Sequence, residues 1–363
     1  MTDAVTRSKR TPLYECHLRA GGRIVPFSGW EMPVQYTGII DEHMHTREKT
    51  GLFDICHMGE FILKGAGAEK DLEHLFSRKV GDMLPGKCRY GFLLNDKGTI
   101  IDDIIVFKVS PEEFMLVVNA GTIDKDAEWI KKNISESTVF ADISESTAKL
   151  DLQGPLSADV LKKCIDPAVV EGLKRFSFTD VSIDGVKVIL SRTGYTGELG
   201  YELFFSPEFA SKLWDKLLVF PEVKPVGLGA RDTLRLEEGY SLYGSDIDED
   251  HTPVEAGLSK FVSMEKDFIG RAALKEQEAS GVSRVLTGFI CEGRRSARSH
   301  FRVMDGSRDA GEVTSGAFSP CLKKGIGLCY IDKGLAVENR EISLMDGKVQ
   351  IEAKVKSLPI YEH

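Results

Sequence analysis

Ile100-Ile101-Asp102-Asp103-Ile104-Ile105-Val106-Phe107 sets two adjacent carboxylates inside an apolar, β-branched run. Ile and Val favour strands, and Asp is depleted in them. Asn95-Asp96-Lys97-Gly98 is a turn that joins Tyr90–Leu94 to a strand predicted over Ile100–Val109. Ser110-Pro111-Glu112-Glu113 turns the chain again, and Phe114–Val118 returns. Strands joined by such short turns form an antiparallel meander. Side chains alternate along a strand, so Asp102 points to one side. Asp103 points to the other, with Ile101, Ile105 and Phe107. A buried carboxylate needs a partner, a proton or a use. A cavity on either face would hold one carboxylate framed by apolar side chains, a setting for a flat, partly polar ligand. The alternative is an edge strand with one solvated Asp and one turn-bonded Asp.

At 363 residues the chain exceeds a typical single core and is expected to form two or three domains. Charged residues at 28% and hydrophobic ones at 42% describe an ordinary globular composition. The net charge is -9 and no long Lys/Arg run occurs, which argues against nucleic acid as a partner. The seven cysteines are odd in number and include no Cys-x-x-Cys pair, which fits a reducing compartment. No apolar run is long enough to span a membrane. Arg7, Lys9 and Arg10 are followed by no apolar segment of the secretory type. The expected location is the cytoplasm, or the mitochondrial matrix.

Outside the meander, helices are predicted from about Gly38 to Thr50, over Ala68–Phe76 and over Asp124–Asn133. Lys149–Leu152 reads as a strand entering a helix at Pro155. Val181–Leu190 reads as a hairpin with an Asp184-Gly185 turn, and helices are predicted over Phe209–Leu218 and Ala230–Gly239. After about Gly281, turn signals recur at Asp305-Gly306, Gly316, Lys324-Gly325, Lys333-Gly334 and Asp346-Gly347. The short runs between them predict a separate all-β barrel or sandwich. The earlier parts mix antiparallel strands with helices, so the fold class is α+β.

Several constellations fail on chemistry. Gly81–Cys88 nearly matches a phosphate-binding loop, but Cys88 replaces the magnesium-binding hydroxyl and Pro85 removes an N–H. Lys64-Gly65-Ala66-Gly67-Ala68 hints at dinucleotide binding, which the antiparallel meander contradicts. His43 and His45 lie on different sides of one helix and cannot share a metal. Cys56-His57 point apart as strand neighbours. Arg231-Asp232-Thr233-Leu234-Arg235 has the charge spacing of a salt-bridged helix face. Arg294-Arg295-Ser296-Ala297-Arg298 and Lys323-Lys324 are basic clusters, either solvated loops or a steering patch for an acidic partner. The loop Arg192–Glu202 carries three glycines, which permit close backbone approach. Tyr195 or Tyr201 could stack on a flat ring while Glu202 accepts its N–H donors. A solvated loop with a surface tyrosine is the alternative.

Taken together, a series of segments resembles one family. They are Thr11-Pro12-Leu13, Phe27-Ser28-Gly29-Trp30-Glu31-Met32-Pro33, Leu52-Phe53-Asp54-Ile55-Cys56-His57-Met58-Gly59 and Ile101-Asp102-Asp103. Arg192-Thr193-Gly194-Tyr195-Thr196-Gly197-Glu198, Gly229-Ala230-Arg231-Asp232, Tyr243-Gly244-Ser245-Asp246-Ile247 and Val313-Thr314-Ser315-Gly316 follow in order. The chain is similar, from about Thr11 to Tyr361, to the aminomethyltransferases, the T-proteins of the glycine cleavage system.

The resemblance implies a three-domain cloverleaf around a central folate site. It implies a discontinuous α+β domain over 1–54 and 142–230, a ferredoxin-like α+β domain over 55–141 and 231–278, and a C-terminal β-barrel over 279–363. The implied reaction moves a carbon unit from aminomethyl-lipoyl H-protein to tetrahydrofolate, giving 5,10-methylenetetrahydrofolate, ammonia and dihydrolipoyl H-protein. Tetrahydrofolate is then a co-substrate and lipoylated H-protein a partner, with no metal, nucleic acid or membrane. Asp103 takes the catalytic role, with Asp102 its close rival. Glu202 corresponds to the carboxylate that accepts the pterin's amino and ring N–H donors. Asn119, Tyr195, Arg231 and Tyr240 correspond to other folate-contacting positions, Met58 to a residue beside the ring and Tyr361 to one that closes the site. Cys56 stands where Ser is common, and Arg298-Ser299-His300-Phe301 lacks the family's frequent glycine and tyrosine. Two rivals share the fold. One is a folate-dependent demethylase of a small methylated compound. The other is a non-enzymatic folate-binding relative that assists iron–sulfur assembly, whose Lys-Gly-Cys-Tyr motif Lys87-Cys88-Arg89-Tyr90 does not reproduce.

Overall fold

The computed structural model describes residues 8–363; Arg7 lies outside the described residues. The chain divides into two compact units. The first takes the described residues up to Phe61, with Ala120–Ile123 and Ala141–Arg231. The second takes Ile62–Asn119, Asp124–Phe140 and Asp232–His363.

The first unit is built on a six-stranded sheet in the order Phe178–Ile183, Val186–Ser191, Gly200–Phe205, Ala148–Gln153, Thr50–Asp54, Val223–Pro225. All neighbours are antiparallel except the last pair. The predicted hairpin forms with Asp184 and Gly185 at φ of 51° and 82°, the positive values its two-residue turn needs. One sheet face carries Leu52, Leu150, Leu152, Leu190 and Leu203, packed against Leu213, Trp214 and Leu217 of the Ala210–Leu218 helix. The alternation that buries these leucines turns Lys149, Asp151 and Gln153 to the opposite face, where all three are also fully buried. A strand with one apolar and one polar face, neither reaching solvent, demands internal partners for every polar group.

The helix expected to begin at Pro155 begins at Ser157 instead. Gly154 sits at φ 131°, where a Cβ would meet the Lys49 carbonyl oxygen at 2.2 Å. The chain makes a turn there, with the Ser157 N–H donating to the Gly154 carbonyl at 3.0 Å, before the helix starts.

In the second unit the meander forms as read: Lys87–Leu94, Ile100–Ser110 and Glu113–Val118 are successive antiparallel strands. The C-terminal strands close into a six-stranded barrel in the order Arg284–Cys291, Lys324–Asp332, Arg308–Ser319, Arg302–Asp305, Glu341–Asp346, Val349–Lys356. Phe289, Val303, Val313, Ile331 and Leu344 fill its interior. The fold is α+β with an all-β barrel, as expected. Among the described residues, no helix is long and apolar enough to cross a membrane.

Candidate functional site

Two clusters of buried polar side chains stand out, one in each unit. In the second unit, the register of Ile100–Ser110 against Lys87–Leu94 slips: Leu93 pairs with Asp102 and Leu94 with Ile100. This bulge leaves Ile101 without a cross-strand partner, and bulges re-aim their neighbours. On the other side Ile105 pairs with Val117, so two residues further the same register brings Asn119 opposite Asp103. Simple alternation sends the two carboxylates to opposite faces. Both nevertheless reach Asn119, which lies where the ladder ends.

The Asn119 side-chain nitrogen donates to Asp102 Oδ1 and to Asp103 Oδ1, each at 2.9 Å. The Asn119 backbone N–H donates to Asp102 Oδ2 at 3.0 Å. Presenting the NH2 rather than the amide oxygen is the orientation two acceptors require. Tyr90 Oη donates to Asp103 Oδ2 at 3.1 Å. Asp102 is fully buried, whereas Asp103 is only half-buried. Burial, with the Asp102 charge beside it, pushes the Asp103 carboxyl up to about 7, against the pull of Tyr90 and Asn119. Such a group gives and takes a proton at neutral pH. Asp102, locked by two donors from one residue, serves as the electrostatic neighbour that raises it.

In the first unit the polar sheet face forms the second cluster. Asp151 and Glu202 are direct cross-strand partners. Arg231 Nη1 donates to Asp151 Oδ2 at 2.7 Å. The Arg231 guanidinium carbon lies 5.1 Å from the Tyr195 ring centre and 5.9 Å from that of Phe53. Burial pushes the Asp151 carboxyl up to about 7; Arg231 draws it down and Glu202 raises it. Glu202 accepts the hydroxyl of Thr193. Lys149 Nζ sits 2.6 Å from Glu60, whose carboxyl burial pushes up to about 7 against the stabilising Lys149 charge.

The glycine loop is fastened from beneath. Gln153 Nε2 donates to Asp151 and, at 3.0 Å, to the Thr193 carbonyl. Its Oε1 accepts from Thr196 Oγ1 at 2.8 Å. A Cβ on Gly194 or Gly200 would fall 2.2 or 2.1 Å from the Gln153 amide, so both positions need glycine. Arg47 donates to the Thr196 carbonyl at 2.6 Å and to Glu198 at 3.0 Å, pinning the loop's far side.

The remaining candidates fall in several places. Tyr195 is half-buried beside Arg231, but Tyr201 is not a stacking residue: it is the second residue of the Gly200–Phe205 strand and is packed in the apolar core. Met58 is half-buried in the first unit, in the turn after Thr50–Asp54, its N–H donating to the Ile55 carbonyl. Tyr240 and Tyr361, in the second unit, both stand at the end of the helix that carries Arg235 and Glu237. The Tyr240 N–H donates to the Arg235 carbonyl and the Tyr361 N–H to the Glu237 carbonyl, each at 2.9 Å. Arg235 pairs with Asp232 three residues before it, as the charge spacing predicted, and also with Asp246 at 2.6 Å. Cys56 is no nucleophile: burial raises its thiol well above the ordinary value, and its Sγ donates to the Lys149 carbonyl at 3.2 Å.

Sequence reasoning missed Asp151, Gln153, Lys149 and Glu60. The signal was present in Lys149-Leu150-Asp151-Leu152-Gln153, whose alternation places three polar groups on one face. What it lacked was the strand order that sets Glu202 beside Asp151.

The family profile described as the GCVT N-terminal domain matches residues 13–266, and that of the glycine cleavage T-protein C-terminal barrel domain matches 284–362. The chain is 42% identical over 355 residues to the aminomethyltransferase of Halothermothrix orenii, covering 97% of this chain and 99% of that protein. It is 40% identical to the aminomethyltransferase of Natranaerobius thermophilus, covering 98% and 99%. The crystal structure of glycine cleavage system aminomethyltransferase T from Bartonella henselae superposes with a TM-score of 0.92 at 34% identity, covering 98% of both chains. The profile matches and the full-length likeness agree, and the chain belongs to the aminomethyltransferase (glycine cleavage T-protein) family.

Proposed function

We propose that this protein transfers the carbon unit of an aminomethyl group, carried on the lipoyl arm of an H-protein, to tetrahydrofolate. The products are 5,10-methylenetetrahydrofolate, ammonia and dihydrolipoyl H-protein. The observation that carries the reading is Asp103. It is a half-buried carboxyl with an apolar strand around it, tied to a buried twin through Asn119 and raised to about 7.

The chemistry asks for a group that is a carboxylate in one step and an acid in another. Departure of the lipoyl sulfur as thiolate from the aminomethyl group leaves positive charge on carbon and nitrogen, which a nearby carboxylate stabilises; ammonia leaves afterwards, once the folate nitrogens hold the carbon. The folate nitrogen that attacks the carbon must lose a proton, and a carboxyl poised near neutrality accepts it. Asp103 fits both demands, while Asp102 has its oxygens committed to Asn119. Glu202 supplies the acceptor for the pterin's amino and ring N–H donors, and Tyr195 an aromatic face. Arg231, Asn119, Tyr240, Met58 and Tyr361 complete the proposed folate contacts. No metal enters this scheme. The seven free cysteines support a reducing compartment such as the bacterial cytoplasm.

The test is incubation with aminomethyl-loaded lipoyl H-protein, with and without tetrahydrofolate. Folate-dependent formation of ammonia and methylenetetrahydrofolate is the expected result. Folate binding without release of either product would turn the reading to a demethylase of a small methylated compound.

A further inference from the structure

We infer that Asp151 is a positioning residue for the proposed folate site: it holds Arg231 away from Glu202 and leaves Glu202 open to accept N–H donors. The inference rests on the reading that Glu202 receives the pterin.

Asp151 and Glu202 lie directly across from each other on neighbouring strands, and both are buried. Like charges so placed repel, and a cation beside them goes to one or the other. Arg231 is that cation. Its guanidinium is engaged with Asp151 at 2.7 Å and lies against the rings of Tyr195 and Phe53. An arginine paired in a bidentate or bridging manner with Glu202 would occupy the acceptor positions that a pterin edge needs. Thr193 already takes Glu202 Oε2, so the acceptor capacity of Oε1 decides whether a ligand can be held.

Asp151 has no exposed surface, so it acts on a ligand through the groups it holds, Arg231 first among them. Gln153 anchors its other oxygen and carries the restraint to the glycine loop through the Thr193 carbonyl and the Thr196 hydroxyl. The arrangement therefore fixes three things together: the direction of Arg231, the freedom of Glu202 and the seat of Tyr195.

A double-mutant cycle on tetrahydrofolate binding tests this, with anaerobic titration of the full-length protein. Asp151→Asn releases Arg231 and is expected to raise Kd by roughly tenfold or more. Asparagine keeps an amide oxygen for Gln153, and once Arg231 is Gln the hold of Asp151 on the guanidinium is already gone. The double variant Asp151→Asn/Arg231→Gln should then bind within about twofold of Arg231→Gln alone. A merely structural Asp151 would add its own loss in both backgrounds, and additive losses overturn the inference. Unchanged binding by Asp151→Asn also overturns it. If Asp151→Asn does not fold because Arg231 is left unpaired, the comparison of Arg231→Gln with the double variant still decides. Wild-type protein that binds no tetrahydrofolate would overturn the folate reading and this inference with it, whereas additive losses on an intact folate site overturn this inference alone.

Discussion

Asn119 donates one side-chain amide to Asp103 at 2.9 Å while the same nitrogen holds Asp102 at 2.9 Å. Two neighbouring carboxyls on one strand are thereby kept close enough for each to feel the other's charge. They are not equivalent. Asp102 is fully buried and takes a second bond from the Asn119 backbone, whereas Asp103 retains exposed surface. In the proposed scheme the proton-exchanging member of the pair is Asp103. Asp103→Asn is expected to lower turnover by about two to four orders of magnitude while leaving tetrahydrofolate affinity nearly unchanged. Steady-state kinetics beside equilibrium titration makes the separation. If Asp102→Asn shows that pattern and Asp103→Asn does not, the roles are reversed.

The pH dependence follows from the same pair. The scheme needs Asp103 ionised to accept a proton, and burial with the Asp102 charge holds its carboxyl up to about 7 in the free protein. The rate at limiting tetrahydrofolate should therefore rise with pH through about 7 and then level. Tyr90 Oη donates to the ionised form at 3.1 Å and pulls the carboxyl downward. Tyr90→Phe keeps the edge-on ring contacts with Phe92 and Phe261 and removes that donor. Its rising limb should move to higher pH. A limb that stays in place, or moves lower, would remove Asp103 as the titrating group.

Much of this was readable along the chain, and what was not has a common cause. The meander, the Asp184-Gly185 hairpin and the C-terminal barrel announce themselves through turns, whose chemistry is local. The adjacent aspartates were conspicuous because a β-branched run normally rejects them. Alternation along Lys149–Gln153 separates Leu150 and Leu152 from Lys149, Asp151 and Gln153, a signal the sequence reading did not take up, and alternation alone cannot say that both faces are buried. That depends on which strands lie alongside: Glu202 stands next to Asp151 only because of the order of the sheet. Tyr201 was misdirected for the related reason that the loop's last glycine, Gly200, is the first residue of a strand. The convergence of Asp102 and Asp103 on Asn119 needed a bulge, which the residues themselves do not signal.

Glu202→Ala should weaken tetrahydrofolate binding by about 1–3 kcal/mol, because the pterin's N–H donors would be left without an acceptor. Glu202→Gln, which keeps the shape but turns one acceptor into a donor, should fail to restore it. Thr193, whose hydroxyl donates to Glu202, and Ser191, 2.9 Å from the same hydroxyl, are expected to stay in place. Unchanged affinity in calorimetric titration of the alanine variant would remove Glu202 from the folate site.

Asp54 offers a test of stability rather than catalysis. Its carboxylate accepts from Thr11 Oγ1 at 2.6 Å, from the Cys56 N–H at 2.8 Å and lies 2.8 Å from His17 Nε2, all within the buried core of the first unit. Tyr36 Oη, 2.8 Å from His17 Nδ1, extends the chain of contacts. Burial opposes the charge on Asp54, but His17, Thr11 and the Cys56 N–H prevail and hold the carboxyl below its ordinary value. A carboxyl depressed by folding contributes stability above its unfolded value, and that contribution is lost as pH falls through the folded one. Asp54→Asn, which removes a charged acceptor from buried hydrogen-bond partners, should cost about 1.5–3 kcal/mol near neutral pH. The gap to wild type should then narrow as pH falls below the ordinary carboxylate range, since the wild-type group is protonated there as well. Denaturant melts at neutral and acid pH would show this, and a gap that is constant or widens towards acid would mean that the Asp54 charge does not hold this core together.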